Sequence, residues 1–251
     1  MQTSTALVTG ASRGLGRALA TELAARGWRL VLDARDGDRL AAAVTGLPSS
    51  DLVTALPGDV ADPAHRAALA DAVGDRLDLL VHNASDLGPS PLPPLADLPL
   101  DAFTRVLQVN VVAPLGLTQL LLPALTRAGG RVLAVSSDAA VEAYPGWGGY
   151  GSSKAALDHL AAVLAAEHPD LRVWAVDPGD MATDMQQAAF PGEDVSDRPA
   201  PETVVPALLR LVEERLPSDR YRAASLQGPA ASSRAVGGRE VLPLAPAGAA
   251  R

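Results

Sequence analysis

Short apolar runs alternate with longer amphipathic stretches along most of this 251-residue chain. The runs are rich in Val, Leu and Ala, which is typical of strands that are buried on both faces of a sheet. The stretches between them repeat Leu and Ala at helical spacing, which predicts helices. The predicted strands lie at 5–9, 29–35, 52–56, 78–81, 131–135, 171–176 and 221–225.

Strand–helix alternation repeated six or seven times predicts an α/β fold, a Rossmann-like doubly wound parallel sheet of six or seven strands with helices on both faces. Right-handed crossovers place the carboxyl ends of the strands at one edge, where such folds bind ligands. No linker interrupts residues 1–225, so we expect a single domain there. Residues 226–251 are rich in Ala, Gly and Pro and are expected to form a poorly ordered tail.

The longest helical pattern covers residues 101–126 and contains a polar Asn110 between apolar neighbours. A polar side chain in such a place needs buried hydrogen-bond partners. Pro114 follows closely and predicts a kink. A second long helix is predicted from Tyr150 to about His168, and a mobile lid is predicted at 184–201.

The first predicted strand runs directly into a glycine-rich turn, and a helical pattern follows. Gly10, Gly14 and Gly16 are spaced G-x-x-x-G-x-G. Glycines let the backbone approach a pyrophosphate, and the free N–H groups of a helix N-terminus favour the anion. The context indicates a dinucleotide site, with a plain glycine-rich connection as the alternative.

The end of the second strand bears on which dinucleotide binds. An acidic residue there can bind the ribose 2′-hydroxyl, whereas a cation accepts a 2′-phosphate. Asp33 and Arg35 both lie near this point, and Arg13 of the glycine turn can reach it. Two cations favour NADP(H), with NAD(H) bound through Asp33 as the alternative. Asp59 follows the third strand, where it could contact the adenine or cap the helix after Pro63.

Tyr150 and Lys154 are the residues most indicative of catalysis. Lys154 is the only Lys among 21 Lys and Arg residues, and it follows one of three Tyr residues by four positions. At this spacing the two side chains share a helix face. A nearby ammonium favours phenolate and lowers a tyrosine pKa, which would make Tyr150 a general acid/base near neutral pH. A surface Tyr beside a solvated Lys is the alternative.

Composition narrows the expected partners. The net charge of −8 argues against nucleic acid or an anionic membrane surface as a partner. The chain has no Cys, and its four His show no metal-ligand spacing, so no metal site is expected. No apolar run of about 18 residues and no signal-peptide pattern is found, so we expect a cytoplasmic protein with no membrane partner.

Together these motifs resemble the short-chain dehydrogenase/reductase superfamily over about residues 5–224. The resemblance rests on the glycine motif at 9–16, on the Tyr150-x-x-x-Lys154 pair, and on Ser137 thirteen residues before Tyr150. It also rests on Asp59, Asn83-Ala84, Asn110, Pro178-Gly179 and Thr183.

The resemblance implies an oxidoreductase that transfers hydride between NADP(H) and a small carbonyl or alcohol substrate. Tyr150 would move the proton and Lys154 would hold the nicotinamide ribose, while Ser137 would bind the carbonyl oxygen. Asn110 would hold a water linked to Lys154, and Ser136 would face away if the strand continues. The implied cofactor-binding residues are Gly10, Ser12, Arg13, Gly14, Leu15, Gly16, Arg35, Asp59, Val60, Asn83, Ala84, Tyr150, Lys154, Pro178, Gly179, Met181 and Thr183.

One departure from the family pattern is Ser85, where the family usually has a Gly that permits close approach to the cofactor. The resemblance also implies a homodimer or homotetramer formed through helices 101–126 and 149–168. A catalytically silent dinucleotide-binding sensor or scaffold is the alternative function. An apolar substrate is suggested by candidate pocket residues Tyr144, Trp147, Met181, Met185 and Phe190.

Overall fold

In the computed structural model, which describes residues 3–227, seven parallel strands form one sheet with helices on both faces. The strand order is β3-β2-β1-β4-β5-β6-β7, so the order reverses between β1 and β4. This reversal is the switch point at which doubly wound sheets bind ligands. The α/β fold class is therefore confirmed.

The elements begin and end close to their predicted positions. The strands are β1 Thr5–Val8, β2 Arg29–Ala34, β3 Val53–Pro57, β4 Leu79–His82, β5 Arg131–Val135, β6 Arg172–Asp177 and β7 Asp219–Arg222. The helices are α1 Gly14–Ala25, α2 Gly37–Thr45, α3 Pro63–Val73, α4 Leu100–Leu107, α5 Ala113–Ala128, α6 Gly148–Glu167, α7 Asp184–Ala189 and α8 Val205–Glu214. Within 184–201, the predicted lid thus contains a short helix.

Burial on both faces explains the apolar runs of the strands. Val8 and Leu32 pack in the cluster that contains α1 and α8. Leu7 and Val31 pack in the opposite cluster with α3, α5 and α6. Burial of one such side chain contributes about 1.5–3 kcal/mol, so each strand needs apolar residues at successive positions.

The end of the described chain differs from the prediction. β7 lies at Asp219–Arg222 instead of 221–225, and residues 223–226 form a turn of 3₁₀ helix. Ala223 and Leu226 are both buried and are three residues apart, which is helical spacing. Leu226 therefore belongs to the core and not to the predicted tail, whose residues 228–251 lie outside the described residues.

A π-helical turn at Gln108–Val112 separates α4 from α5. It holds Asn110, which is almost fully buried. Pro114 lies just after the π turn, and the backbone stays helical from α4 through that turn into α5, so the helix does not end at Pro114. Within the described chain, the combined Leu100–Ala128 stretch is long and apolar enough to cross a membrane, which the sequence analysis did not anticipate. Half of its most apolar part is buried inside the protein.

Candidate active site

A cleft of about 700 Å³ opens at the carboxyl ends of the central strands. Among the predicted site residues, Gly16 and Asn110 are the two that do not line its walls. The predicted residues that line it are Gly10, Ser12, Arg13, Gly14, Leu15, Arg35, Asp59, Val60, Asn83, Ala84, Ser137, Tyr150, Lys154, Pro178, Gly179, Met181 and Thr183.

The turn after β1 depends on its glycines. Gly10 and Gly14 have φ angles of +67° and +53°, in the left-handed region. A Cβ on Gly16 would lie 2.4 Å from Asn83 Nδ2, so Gly16 is required for packing beneath the turn. In the described structure α1 begins without a side-chain cap and without an acid in its first turn, whereas Asp36 caps α2. The first N–H groups of α1 are thus available to an anion.

Asn83 fastens the end of β4 to the glycine turn. Its Nδ2 donates to the carbonyls of Thr9 and Gly10 at 2.8 and 3.1 Å. The backbone N–H groups of Asn83 and Ala84 both donate to Thr9 Oγ1 at 3.0 Å. These bonds hold the two central strand ends at a fixed separation.

The sequence analysis considered Asp33 as a ligand of the ribose in NAD(H), but in the structure its carboxylate bonds to other residues of the protein. It is buried, and its Oδ1 accepts the Gly10 N–H at 2.9 Å while its Oδ2 lies 3.1 Å from His65 Nε2. Both oxygens therefore have partners within the protein. Arg35, two residues later, is exposed and lines the cleft.

Arg39 on α2 is a third cation at this end, and the sequence analysis missed it. Arg13 forms an ion pair with Asp184 at the start of α7, and Arg39 lies 3.4 Å from the same carboxylate. The pairs are exposed, so each contributes little and an incoming phosphate can replace the carboxylate. Arg39 lies in the first turn of the helix that follows the second strand, and a cation at that position was the sequence signal that could have identified it.

Asp59 is held by other parts of the protein. Arg105 Nη2 donates to its carboxylate at 2.6 Å, and the Ala61 N–H donates at 2.9 Å. Asp62 caps α3 by accepting the Ala64 N–H at 2.9 Å. The alternative in which Asp59 caps that helix is wrong, because Asp62 lies directly before the helix.

At the inner end of the cleft, Tyr150 and Lys154 are both buried, with 8% and 1% of their surfaces exposed. This burial excludes the alternative in which a surface Tyr lies beside a solvated Lys. Lys154 Nζ donates to the Val135 carbonyl at 2.7 Å and lies 5.5 Å from the centre of the Tyr150 ring. Burial lowers the pKa of Lys154 to about 8, and the Asp158 carboxylate opposes part of that shift.

The lowered pKa expected for Tyr150 is not found. Burial raises it well above the ordinary tyrosine value, because a low-dielectric site disfavours the charged phenolate. Hydrogen bonds from Ser85 and Ser137 act in the opposite direction, while the Asp138 and Asp177 carboxylates raise the pKa further.

Two serines follow β5 and both line the cleft. Ser137 Oγ donates to Asp138 Oδ1 at 3.0 Å and accepts the Ala139 N–H at 3.2 Å. Ser136 continues the strand ladder, since its N–H donates to the Val176 carbonyl at 2.7 Å, and its hydroxyl is buried. That hydroxyl has no hydrogen-bond partner within residues 3–227.

Asn110 lies outside the cleft wall, with its side chain fully bonded to the protein. Its Nδ2 donates to the Asp86 carbonyl and to Ser153 Oγ, each at 2.9 Å. Its Oδ1 accepts the Asp86 N–H at 2.8 Å and the Ser85 hydroxyl at 3.2 Å. Its role through a water remains a prediction.

The loop after β6 forms another wall of the cleft. Gly179 has a φ angle of +77°, and its N–H donates to Asp177 Oδ1 at 3.0 Å. Thr183 Oγ1 caps α7 by accepting the Gln186 N–H at 3.2 Å. Met181 packs against the core beside α1. Contacts of these residues with a carboxamide remain predictions.

An aromatic pair covers Tyr150. The Trp147 ring lies edge-on to Tyr150 at 5.8 Å, and Phe190 lies 5.9 Å from Trp147 on the far side. Met185 packs in the same cluster. Tyr144 is 40% exposed and does not line the cleft, because its hydroxyl bonds to two carboxylates in its own loop. Phe190 likewise supports Trp147 without lining the cleft.

Arg220 on β7 supports the site and was not found from the sequence. Its Nε donates to Asp158 Oδ2 and its Nη2 donates to the Ser137 carbonyl, both at 2.8 Å. One side chain thus connects the edge strand to α6 and to the end of β5. The sequence around Arg220 does not indicate these contacts, because its partners lie 62 and 83 positions away along the chain.

Sequence comparison relates this chain to dehydrogenases. The family model for short chain dehydrogenase matches residues 4–194. Over 218 residues the chain is 33% identical to the uncharacterized oxidoreductase YciK of Escherichia coli, covering 82% of this chain and 84% of that protein. Over 174 residues it is 39% identical to short chain dehydrogenase asqE of Emericella nidulans, covering 65% of this chain and 64% of that protein.

Solved structures agree with this relation. A short chain dehydrogenase from Pseudomonas syringae is 33% identical with a TM-score of 0.82, covering 88% of this chain and 94% of that one. A short chain dehydrogenase from Shigella flexneri complexed with NADP is 30% identical with a TM-score of 0.83, covering 89% and 98%. The chain therefore belongs to the short-chain dehydrogenase/reductase family of oxidoreductases.

Proposed function

We propose that this protein is an NADP(H)-dependent oxidoreductase that interconverts a carbonyl and an alcohol by hydride transfer. The observation that carries the proposal is the joint burial of Tyr150 and Lys154 at the inner end of a cleft whose outer end is cationic. A lysine is rarely buried without a purpose, because desolvation of its charge is costly.

The cleft fits a nicotinamide dinucleotide. The uncapped start of α1 suits a pyrophosphate. Arg13, Arg35 and Arg39 lie together at the outer end, where a 2′-phosphate would make charge-assisted hydrogen bonds. The NADP complex of the Shigella flexneri relative supports the same choice. NAD(H) is the less favoured alternative, because the carboxylate of Asp33 is engaged within the protein.

The bound cofactor supplies the hydride chemistry, and the side chains around it handle the proton. A raised pKa keeps the Tyr150 phenol protonated throughout the neutral range, so it can donate to a substrate carbonyl oxygen. Ser137 lines the same cleft as the phenol and can bind that oxygen. The Lys154 ammonium donates to the Val135 carbonyl and places a positive charge beside the Tyr150 ring. Reduction is therefore the favoured direction at neutral pH.

The surroundings of Tyr150 indicate the type of substrate. Leu87, Leu92, Trp147 and Met185 cluster around it, which suits a small apolar compound. We propose an apolar carbonyl or alcohol, with rings as a natural match for the flat Trp147 face.

The same family membership supports the proposals for assembly and location. Leu115 and Leu120 of α5 and Val163 of α6 are exposed apolar residues on the two helices expected to pair. They support a homodimer or homotetramer, and we propose a cytoplasmic location.

The direct test measures oxidation of NADPH against a panel of ketones, aldehydes, quinones and cyclic diketones. We expect turnover by the wild-type protein and none by Lys154→Arg, while Arg127→Ala on the outer surface of α5 retains full activity. Retained activity in Lys154→Arg would overturn the proposed site. Silence across the panel, together with measured NADPH binding, would favour the sensor or scaffold alternative.

A further inference from the structure

Arg220 lies on the edge strand β7 and reaches two elements that supply the cleft with polar side chains. Its Nε donates to Asp158 Oδ2 on α6, and its Nη2 donates to the Ser137 carbonyl after β5, both at 2.8 Å. A guanidinium is planar and holds its donors at fixed angles to one another. The two bonds therefore fix the end of β5 relative to the helix that carries Tyr150 and Lys154.

Ser137 depends on this contact because it lies just beyond the end of β5. The N–H of the preceding Ser136 still bonds to β6, where it donates to the Val176 carbonyl at 2.7 Å. The Ser137 carbonyl accepts the Ala140 N–H at 3.2 Å within its own loop, and it accepts Arg220 Nη2 at 2.8 Å. Arg220 thus supplies the shorter of these two bonds, and the one that comes from another element.

The ion pair with Asp158 keeps Arg220 in place. Both side chains are largely buried, and Asp158 Oδ1 has no hydrogen-bond partner within residues 3–227. An unpaired carboxylate in such a place is costly, because desolvation disfavours its charge. The pair therefore holds the guanidinium against α6, and its Nη2 remains directed at the Ser137 carbonyl.

A fixed backbone matters at Ser137 because its hydroxyl has to change acceptor. The hydroxyl donates its one proton to Asp138 Oδ1 at 3.0 Å, so it must turn away from Asp138 in order to donate to a substrate oxygen. Asp138 Oδ1 keeps the Ala139 N–H at 2.8 Å when the hydroxyl turns. The new direction of the hydroxyl then depends on where the Ser137 backbone is held.

We propose that Arg220 is a positioning residue for Ser137, because its bond to the Ser137 carbonyl holds the turning hydroxyl at a fixed place relative to Tyr150. The inference rests on the proposed function, in which Ser137 binds the substrate oxygen and Tyr150 moves the proton. Arg220 lies outside the cleft wall and takes no part in the proton transfer. A misplacement of about 1 Å can lower a rate by about a hundredfold, so loss of this bond is expected to affect turnover.

Arg222 offers a matched comparison, since it lies two residues later on the same face of β7. Its Nη2 donates to Glu142 Oε1 at 2.6 Å, in the same loop as Ser137 but five residues further along. Both arginines thus tie β7 to one loop, and Arg220 is the one of the two that bonds to Ser137.

Arg220→Lys removes the fork and keeps the charge, because a lysine ammonium can pair with Asp158 but has no second rigid donor for the Ser137 carbonyl. We expect kcat to fall by roughly tenfold, with NADPH affinity unchanged. Arg222→Lys should keep the wild-type kcat. A wild-type kcat in Arg220→Lys would overturn the proposal.

A double-mutant cycle with Ser137→Ala separates positioning from general support of the fold. If Arg220 acts through the Ser137 hydroxyl, Arg220→Lys lowers kcat by less than about twofold once that hydroxyl is gone. Equal losses in both backgrounds would show a merely structural role and contradict the proposal. Should Arg220→Lys not fold, the double variant Asp158→Asn with Arg220→Gln repeats the cycle without leaving a buried charge.

A further measurement needs no turnover. The carbonyl-carbon NMR signal of Ser137 reports the hydrogen bonds that its oxygen accepts. We expect Arg220→Lys to shift this signal and Arg222→Lys to leave it unchanged. An unshifted signal in Arg220→Lys would refute the role of Arg220. A shifted signal in a protein whose wild-type form turns over no substrate would instead count against the proposed function alone.

Discussion

Exposed arginines paired with carboxylates form the outer end of the cleft, whereas one lysine buried beside a tyrosine forms the inner end. The Arg13 side chain is 54% exposed, and Lys154 is 1% exposed. Solvent and salt screen charges at the outer end, where a single pair is worth about 0–1 kcal/mol. At the inner end the low dielectric strengthens every charge and shifts both pKa values. Under the proposed function, cofactor affinity and choice can thus be adjusted at one end without disturbing proton transfer at the other.

The largest effect is expected from Lys154→Arg. The planar guanidinium is larger than the ammonium that fits against the Val135 carbonyl, so it disrupts both packing and charge placement. We expect turnover to fall by about a thousandfold or more, and the melting temperature to fall as well. Lys154→Met, which removes the charge at similar length, should lose turnover too. An active Met variant would show that the charge is dispensable.

Tyr150→Phe removes the proton donor and keeps the ring contact with Trp147. We expect kcat to fall by about a hundredfold to a thousandfold, with NADPH affinity unchanged. Tyr221→Phe is the control, because that hydroxyl bonds to the Pro217 carbonyl away from the cleft. Equal losses in both variants would contradict an acid/base role specific to Tyr150.

At the outer end, Arg35→Ala should weaken NADPH binding by roughly tenfold and NADH binding by much less. The reason is the loss of one cation from the group expected to hold the 2′-phosphate. Titration calorimetry at low and high salt would measure both affinities, with Arg127→Ala as the control. Parallel losses for NADPH and NADH would show that Arg35 does not read the 2′-phosphate.

The smallest effect is expected from Asp138→Asn. A raised Tyr150 pKa predicts that oxidation, which needs phenolate, increases with pH, while reduction changes little through the neutral range. Removing the Asp138 charge lowers that pKa, so the increase in oxidation should start at lower pH. The amide oxygen of Asn can still accept from Ser137, and rates should change by less than about tenfold. Steady-state rates over a pH series would detect the displacement. An increase that starts at higher pH would contradict it.

Much of the site could be identified from the sequence because it lies within short local segments. The glycine turn follows β1 directly, and Tyr150 and Lys154 share one turn of one helix. Parallel topology then places such strand-end segments at one edge. Asp59 shows the limit of this approach, since it was considered as a cap for the helix after Pro63, whereas the cap is Asp62, which lies directly before that helix.

The sequence alone determined the alternation of elements, the parallel sheet and the pairing of Tyr150 with Lys154 on one helix face, because hydrophobic period and residue spacing are local properties. Only the tertiary structure decided what each polar group bonds to. It buries Asp33 beneath the glycine turn, brings Arg220 to Ser137, and joins Ser85 to Asn110 across two separate segments. These contacts depend on how the segments pack in three dimensions, and no local pattern encodes that packing.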